Sequence, residues 1–402
     1  MSAPAWTTPE QIRAQLQRRW DDGSLLAARL SGETVFPLSL SVRAPAAAAL
    51  AAQFDEARRW IRALEEGARP AVGHGYEIVW RDINHRQLGR NRLPEKIILP
   101  SAEDALRLLG RLADARRFDA LAAATLAAFP SLRAWLARRP VTLLEQAAAW
   151  PRILSILRWF VAHPRPGLYL RQLDIAGVDS KFIEMRKGLL AELLDQVLPA
   201  DAIDANASGV RQFEARYGLL GKPALIRFRM LDPAAYIGGM SDLAVPVAQF
   251  ASLFPNVRHV FITENEVNGL AFPDASDSMV IFGGGYAVER LADIAWLSDK
   301  DVIYWGDIDT HGFAILDRLR AALPHARTML MDSLTLLEHR TLWGCEDADK
   351  RFVGTLQRLT DEEGRLFAML RDNELGEYVR MEQERLGYTW VTQAITVSIE
   401  KS

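Results

Sequence analysis

The sequence predicts a multi-domain α/β protein, and three features carry that prediction. From Ala224 onward, short apolar runs alternate with amphipathic segments, the pattern of a mostly parallel, Rossmann-like sheet covered by helices. Ahead of it, residues 141–198 read as helices interrupted by one short alternating segment. The first 140 residues mix Ala-rich helical periodicity with alternating strands, an α+β pattern. Domains are accordingly expected at 1–140, 141–200 and 201–402.

In chain order, Thr8 can cap a helix running to Leu30, with Pro9 in its first turn and Ile12, Leu16 and Trp20 at helical spacing. Glu33 to Val42 alternates as a strand, Pro45 to Glu66 is an amphipathic helix, and Tyr76 to Trp80 is a strand. The basic segment Arg81 to Pro94 reads as a loop or short helix exposing Arg86, Arg90 and Arg92. A short strand at Ile97 to Leu99 precedes two helices in Ala102 to Ala137, broken near Phe118. Thr142 to Ala162 supplies one or two helices, and His163-Pro164-Arg165-Pro166-Gly167 is a hard break. Tyr169 to Leu173 is short and strand-like, and Asp179 or Ser180 caps a helix from Lys181 to Leu198. Helix, short strand and helix-turn-helix make a winged-helix pattern, whose second helix enters a DNA major groove. Its first turns here present Lys181, Arg186 and Lys187. A small helical linker is the plainer reading of the same segment.

In the last part, strands are expected at Leu225–Met230, Val257–Thr263, Met279–Phe282, Val302–Trp305 and Thr328–Met331. Helices are expected at Glu266–Ala271, Tyr286–Trp296 and Phe313–Leu323, and the tail Leu334–Ser402 reads helical. Thr360-Asp361-Glu362-Glu363 starts a helix with acids at its positive end.

Composition narrows the function classes. One cysteine, Cys345, rules out an intrachain disulfide framework or cysteine zinc site and fits a reducing cytoplasm. Nothing resembles a signal peptide, and the Ala-rich stretches are too short and too arginine-interrupted to span a bilayer. The net charge of −3 excludes a uniformly basic nucleic-acid binder. Yet Arg133, Arg138, Arg139, Arg152, Arg158, Arg165 and Arg171 face only Glu145 in their window, a local field that can steer phosphates. Arginines solvated on separate helix faces would look the same in sequence.

The chemistry concentrates in Val302-Ile303-Tyr304-Trp305-Gly306-Asp307-Ile308-Asp309-Thr310-His311-Gly312. An apolar strand ends, a tight turn delivers two carboxylates, and a helix begins. Val260-Phe261-Ile262-Thr263-Glu264-Asn265 repeats the arrangement with a glutamate. Ligands of α/β sheets lie at the carboxyl ends of strands. Glu264, Asp307 and Asp309 on one rim are hard oxygen donors suited to Mg²⁺ or Mn²⁺, which keep water and phosphate oxygens in their shell. Gly306 and Gly312 are expected to permit the turn. Plainer roles exist: Asp309 could cap the helix at Gly312, and Glu264 could pair with an arginine. A dehalogenase-type phosphatase wants threonine or valine where His311 stands. A P-loop needs Gly-Lys-Ser/Thr, which Gly221-Lys222-Pro223 fails to provide. The run Gly283-Gly284-Gly285 alone is weak evidence of phosphate binding.

Glu264 after one strand and Asp307-x-Asp309-x-x-Gly312 after a later one resemble the Toprim domain of topoisomerases, primases and some nucleases. Trp80 to Pro94, Leu168 to Leu173, Lys181 to Glu184, Thr263 to Asn268 with Phe272-Pro273, and Tyr304 to Gly312 together resemble the JetD (MksG) family, the nuclease subunits of Wadjet systems. The resemblance implies an N-terminal arm domain, a CAP-like winged helix and a Toprim domain, similar to the A subunit of topoisomerase VI. It implies a homodimer acting with a condensin-like SMC ATPase, a kleisin and a small winged-helix protein to cleave closed circular double-stranded plasmid DNA. Carried over, Glu264, Asp307 and Asp309 are the catalytic, metal-binding acids. Glu266 is a lesser candidate, and Arg171, Lys181 and Arg186 are candidate DNA contacts. A topoisomerase would need a tyrosine nucleophile in the winged helix. The only tyrosine of residues 141–198 is Tyr169, expected here as a packed aromatic. Hydrolysis by a metal-activated water is therefore the expected chemistry. A tyrosine-dependent strand-passing enzyme and a non-catalytic DNA-binding subunit are the alternatives.

Overall fold

A computed structural model describes residues 6–32, 35–46, 53–85, 89–282 and 290–400. The chain divides into two compact units, 1–221 and 222–402.

The first unit is mainly helical. Thr8 accepts from Gln11 N and opens the helix Pro9–Asp21 in a full capping box. Gly23, at φ +80°, ends that run before Ser24–Ser31, so the expected single helix is two. Strands β1 (Leu38–Ser41), β2 (Glu77–His85) and β3 (Gly89–Leu99) form an antiparallel sheet in the order β1-β3-β2. The segment expected as a loop or short helix is therefore a β-ribbon. Alternation decides it: buried Leu93 and half-buried Ile83 anchor the ribbon, while Arg90 and Arg92 are exposed as expected. The Arg92 guanidinium lies 5.5 Å over the Trp80 ring. Arg86 falls outside the described residues, as do 283–285 and the start of the helix expected from Tyr286.

The break expected near Phe118 is instead at Gly110, which ends Ala102–Leu109 at φ +71°. Phe118 is fully buried within the helix Leu112–Ala128. Residues 141–200 do not form a separate core: Trp150, Ile153, Leu157, Phe182, Leu190 and Leu194 join one continuous cluster with Leu16, Phe118 and Trp135. The expected strand at Tyr169–Leu173 is a 3₁₀ turn, Leu170–Gln172, with one isolated bridge from Tyr169 to Leu220. Asp179 caps as expected, accepting from Phe182 N at 2.7 Å. The helix it opens is split into Ser180–Glu184 and Lys187–Val197.

The second unit is built on β4 (Leu225–Met230), β5 (Asp242–Pro246), β6 (His259–Thr263), β7 (Ser278–Phe282), β8 (Asp301–Trp305) and β9 (Arg327–Thr328). The sheet order is β5-β4-β7-β6-β8-β9. Neighbours from β7 to β9 are parallel, but β4 pairs antiparallel with both β5 and β7, so the sheet is mixed. Every residue of β6 and β7 is buried, which explains their unbroken apolar character. β4 alternates, with Arg227 and Arg229 on its less buried side. The tail is not uniformly helical. Helices Ser333–Glu338, Asp361–Arg371 and Tyr388–Glu400 are separated by irregular chain carrying β10 (Gly344–Cys345) and β11 (Val379–Arg380), which pair antiparallel. Among the described residues no helix is long and apolar enough to cross a membrane.

Candidate functional site

Sheet register brings the acids together. β6 lies between β7 and β8, and Thr263 stands opposite Trp305 in parallel register. Glu264 and Asp307 therefore leave adjacent strands at the same carboxyl edge. The chain passes from β6 to β7 on one side and then to β8 on the other, so this edge is a topological switch point.

Asp309 is buried and caps the helix Thr310–Ala322, its Oδ1 accepting from Gly312 N at 2.7 Å. Capping and site membership are thus not alternatives. Neither Gly306 nor Gly312 has a positive φ. They are needed for space: a Cβ at Gly312 would collide with the Asp307 carbonyl oxygen, and one at Gly306 would come within 2.6 Å of Tyr304 Oη and 2.7 Å of Glu264 Oε1. Among the described residues Glu264 makes no ion pair with an arginine; the buried Tyr304 hydroxyl donates to its Oε1.

The tail supplies what the strands do not. Gln383 is buried; its backbone N–H donates to Asp307 Oδ1 at 2.9 Å and its amide donates to Trp305 O. Its Oε1 accepts from Thr263 Oγ1 and Asn268 Nδ2, both at 2.9 Å. Arg380, on β11, reaches Asp307 Oδ2 at 2.5 Å, Asp309 Oδ2 at 3.0 Å and Glu382 Oε1 at 3.2 Å. Reciprocal backbone bonds between Ile308 and Met381 hold this segment against the turn. Buried Glu346 accepts from Thr310 Oγ1 and from the Thr310 and His311 backbone N–H groups, adding a second carboxylate at that helix N-terminus. Sequence reading missed Arg380, Gln383 and Glu346. The one visible signal was the dense polar run Arg380–Arg385 within an otherwise mixed tail.

These carboxylates are short of positive charge. Burial pushes Glu264 up to about 7, with Asp307 and Asp309 adding to the rise and the Tyr304 hydroxyl and Arg380 opposing it. Burial likewise raises Asp309 to about 6, reinforced by Glu346 and Asp307 and opposed by Gly312 N–H and Arg380. The Tyr304 phenol is held well above its usual value, first by burial and then by Glu264. Among the described residues, two buried side-chain polar atoms lack a hydrogen-bond partner, Trp305 Nε1 and Arg380 Nε, and both belong to residues at this edge. No three His, Cys, Asp or Glu side chains among the described residues stand in a metal-holding arrangement. The compensating cation for Asp307 and Asp309 is the Arg380 guanidinium, while Glu346 meets Arg351 at 3.4 Å.

The other candidates lie elsewhere. Glu266 pairs with Arg227, which also meets Asp242 at 2.7 Å. Arg171 and Lys181 are exposed and make no ion pair among the described residues. Arg186 is half-buried, with its guanidinium 4.1 Å from the Phe182 ring and donating to Gln146. Arg152 lies 4.2 Å from the same ring, and among the described residues neither guanidinium makes an ion pair. Tyr169 is not the packed aromatic expected: it is 44% exposed, because the 3₁₀ turn buries Leu170 instead.

Comparison with curated proteins returns no match. Residues 9–195 match the family described as "Uncharacterized protein conserved in bacteria N-term (DUF3322)". Residues 218–395 match "Wadjet protein JetD, C-terminal", so that the two matches cover most of the chain, and the protein belongs to the Wadjet JetD family.

Proposed function

We propose that the protein is the metal-dependent DNA endonuclease subunit of a Wadjet anti-plasmid system, with a Toprim centre formed by Glu264, Asp307 and Asp309. The observation that carries this reading is the gathering of those carboxylates at the shared carboxyl edge of β6 and β8, two of them with raised proton affinity. The donor set fits Mg²⁺ or Mn²⁺: hard oxygens, low water access and too little positive charge. Glu264, Asp307 and Asp309 would hold the ion. When bound, it would supply an activated water and neutralise charge on the phosphate oxygens.

The chain's own residues orient these groups. Tyr304 fixes Glu264, Gln383 N–H fixes Asp307, and Gly312 N–H fixes Asp309. Arg171, Lys181 and Arg186, joined by Arg152, are the proposed backbone contacts for double-stranded DNA. One such centre cuts one strand, so a double-strand break calls for a homodimer. Family membership supports association with other Wadjet subunits. The proposed ones are an SMC ATPase, a kleisin and a winged-helix protein, acting in the cytoplasm on closed circular plasmids.

The test is plasmid cleavage with and without those subunits. Glu264→Ala is expected to cut at least about a hundredfold more slowly; undiminished cutting removes Glu264 from the mechanism. Mn²⁺ binding by calorimetry, lost in Asp307→Ala, separates the nuclease from a non-catalytic DNA-binding subunit. The exposure of Tyr169 favours one second reading, a tyrosine-dependent strand-passing enzyme. A protein–DNA adduct on denaturing gels, abolished by Tyr169→Phe, would establish it in place of hydrolysis.

A further inference from the structure

Arg380 engages more of the acid cluster than any other cationic side chain at the site. Its three nitrogens contact Asp307, Asp309 and Glu382. It is also the cation whose charge opposes the raised proton affinity of both Glu264 and Asp309. Its fit is imperfect. Nε stands 3.0 Å from Asp309 Oδ2, yet is buried without an aligned hydrogen-bond acceptor.

We infer that Arg380 is a resident counter-ion that excludes a divalent ion from Asp307 and Asp309, and that it must swing away before the centre can load. This inference rests on the metal-centre reading given above. Charge and space both favour exclusion: the guanidinium sets a positive charge against Oδ2 of both carboxylates, where a divalent ion shared by those oxygens would sit. The anchoring permits the swing. The Arg380 side chain is about one-third exposed, so its head can rotate into solvent without opening the core. Its backbone stays fixed by pairing with Gly344 on β10 and by the neighbouring Met381–Ile308 bridge. Glu382, also about one-third exposed, already contacts one guanidinium nitrogen and Arg385, and so offers a partner after departure. The centre thus has a closed form, charge-balanced by Arg380, and an open form competent for metal.

The experiment is titration of Mn²⁺ into the full chain by calorimetry, comparing wild type with Arg380→Gln and Arg380→Lys. Asp307→Ala serves as the site control. Arg380→Gln is expected to bind Mn²⁺ on the order of tenfold more tightly, since the competing charge is gone. Arg380→Lys, a point charge that cannot bridge both carboxylates, should fall between. Thermal melts add an independent readout. Metal-free Arg380→Gln should melt below wild type and gain more from saturating Mn²⁺ than wild type does. Wild-type Mn²⁺ binding that is equal or tighter than in Arg380→Gln overturns the exclusion while leaving the metal centre standing. Absence of Mn²⁺ binding in all forms, with folding verified by circular dichroism, removes the metal-centre reading and this inference with it.

Discussion

The two units bury comparable sets of apolar side chains but follow different rules for polar ones. Among the described residues, the first unit buries three polar or charged side chains, Thr7, Asp104 and Thr125; the second buries eleven, from His259 to Gln383. The first core is therefore closed chiefly by apolar packing, with local hydrogen bonds such as that from Trp150 Nε1 to Thr125 Oγ1 at 2.8 Å. The second unit withdraws charge from water and must partner each group it hides. Most are fully partnered. Asp317 accepts from the Gln357 and Arg358 backbone N–H groups and meets Arg358. Arg320 and Glu363 form a bidentate pair. At the carboxyl edge of β6 and β8 the partnering falls short, with one guanidinium shared among several acids. That shortfall, more than the count of acids, is what sets the proposed centre apart from the structural ion pairs.

The largest expected effect tests the rule for the second unit. Arg320→Ala leaves Glu363 buried without its cation and should destabilise the protein by about 3–5 kcal/mol, read by denaturant or thermal unfolding. A loss below about 1 kcal/mol would mean that this pair is not structural. pH supplies a second reading. Burial alone would raise the Glu363 carboxyl, but hydrogen bonds from Arg320, Thr360 and Thr328 and the Arg320 charge outweigh it and hold the group below its usual range. The unfolded chain then binds the proton more readily than the folded one. The pair's contribution is therefore present above the ordinary glutamate range and lost as pH falls through the lowered folded value. Unfolding measured down an acid series should show this loss in wild type. In Arg320→Ala burial acts unopposed by Arg320, so the acid-side loss should shrink or reverse.

Next in size is Gly312→Ala. Overpacking of this kind costs about 1–3 kcal/mol, and here the added methyl meets the Asp307 carbonyl oxygen. The Asp307 backbone would have to shift, so Mn²⁺ affinity and plasmid cleavage should fall much further than stability does. Retention of both would show that the turn between Asp307 and Asp309 tolerates displacement.

The acid edge was legible because its signals are local. Strands β6, β7 and β8 are buried on both faces and read as unbroken apolar runs, so the carboxylates that follow them mark the strand ends. Tertiary pairing hid the remainder. Arg380 and Gln383 lie more than seventy residues after the aspartate they hold, the first on a strand only Val379–Arg380 long and the second opening the 3₁₀ turn Gln383–Arg385, elements too short for any periodicity to reveal. Glu346 was hidden in the same way. Charge misled at Arg81–Pro94, where exposed arginines suggested a loop although alternate positions were anchored by Ile83 and Leu93. Gly306 and Gly312 stand at the expected turn for a different reason: neither has a positive φ, and each gives room to neighbouring atoms. Tyr169 is exposed despite its apolar neighbourhood, because the turn buries Leu170 in its place.

The smallest effect tests whether the difference between the units is also a separation of function. Thr125→Val keeps the side-chain shape in the first core and removes the acceptor of the Trp150 indole N–H. It also removes the hydroxyl that donates to Leu121 O at 2.7 Å, but that carbonyl remains within a helix and keeps its backbone partner. The uncompensated group is the buried indole donor, which predicts a loss of about 1–2 kcal/mol on unfolding. Trp150 stacks on Trp135 with centroids 5.7 Å apart, so relaxation of the ring should register in tryptophan fluorescence. No residue of the acid edge belongs to this cluster, and Mn²⁺ affinity is expected to stay at the wild-type value. A change in affinity as large as the change in stability would show that the apolar core of the first unit and the charged rim of the second are energetically coupled.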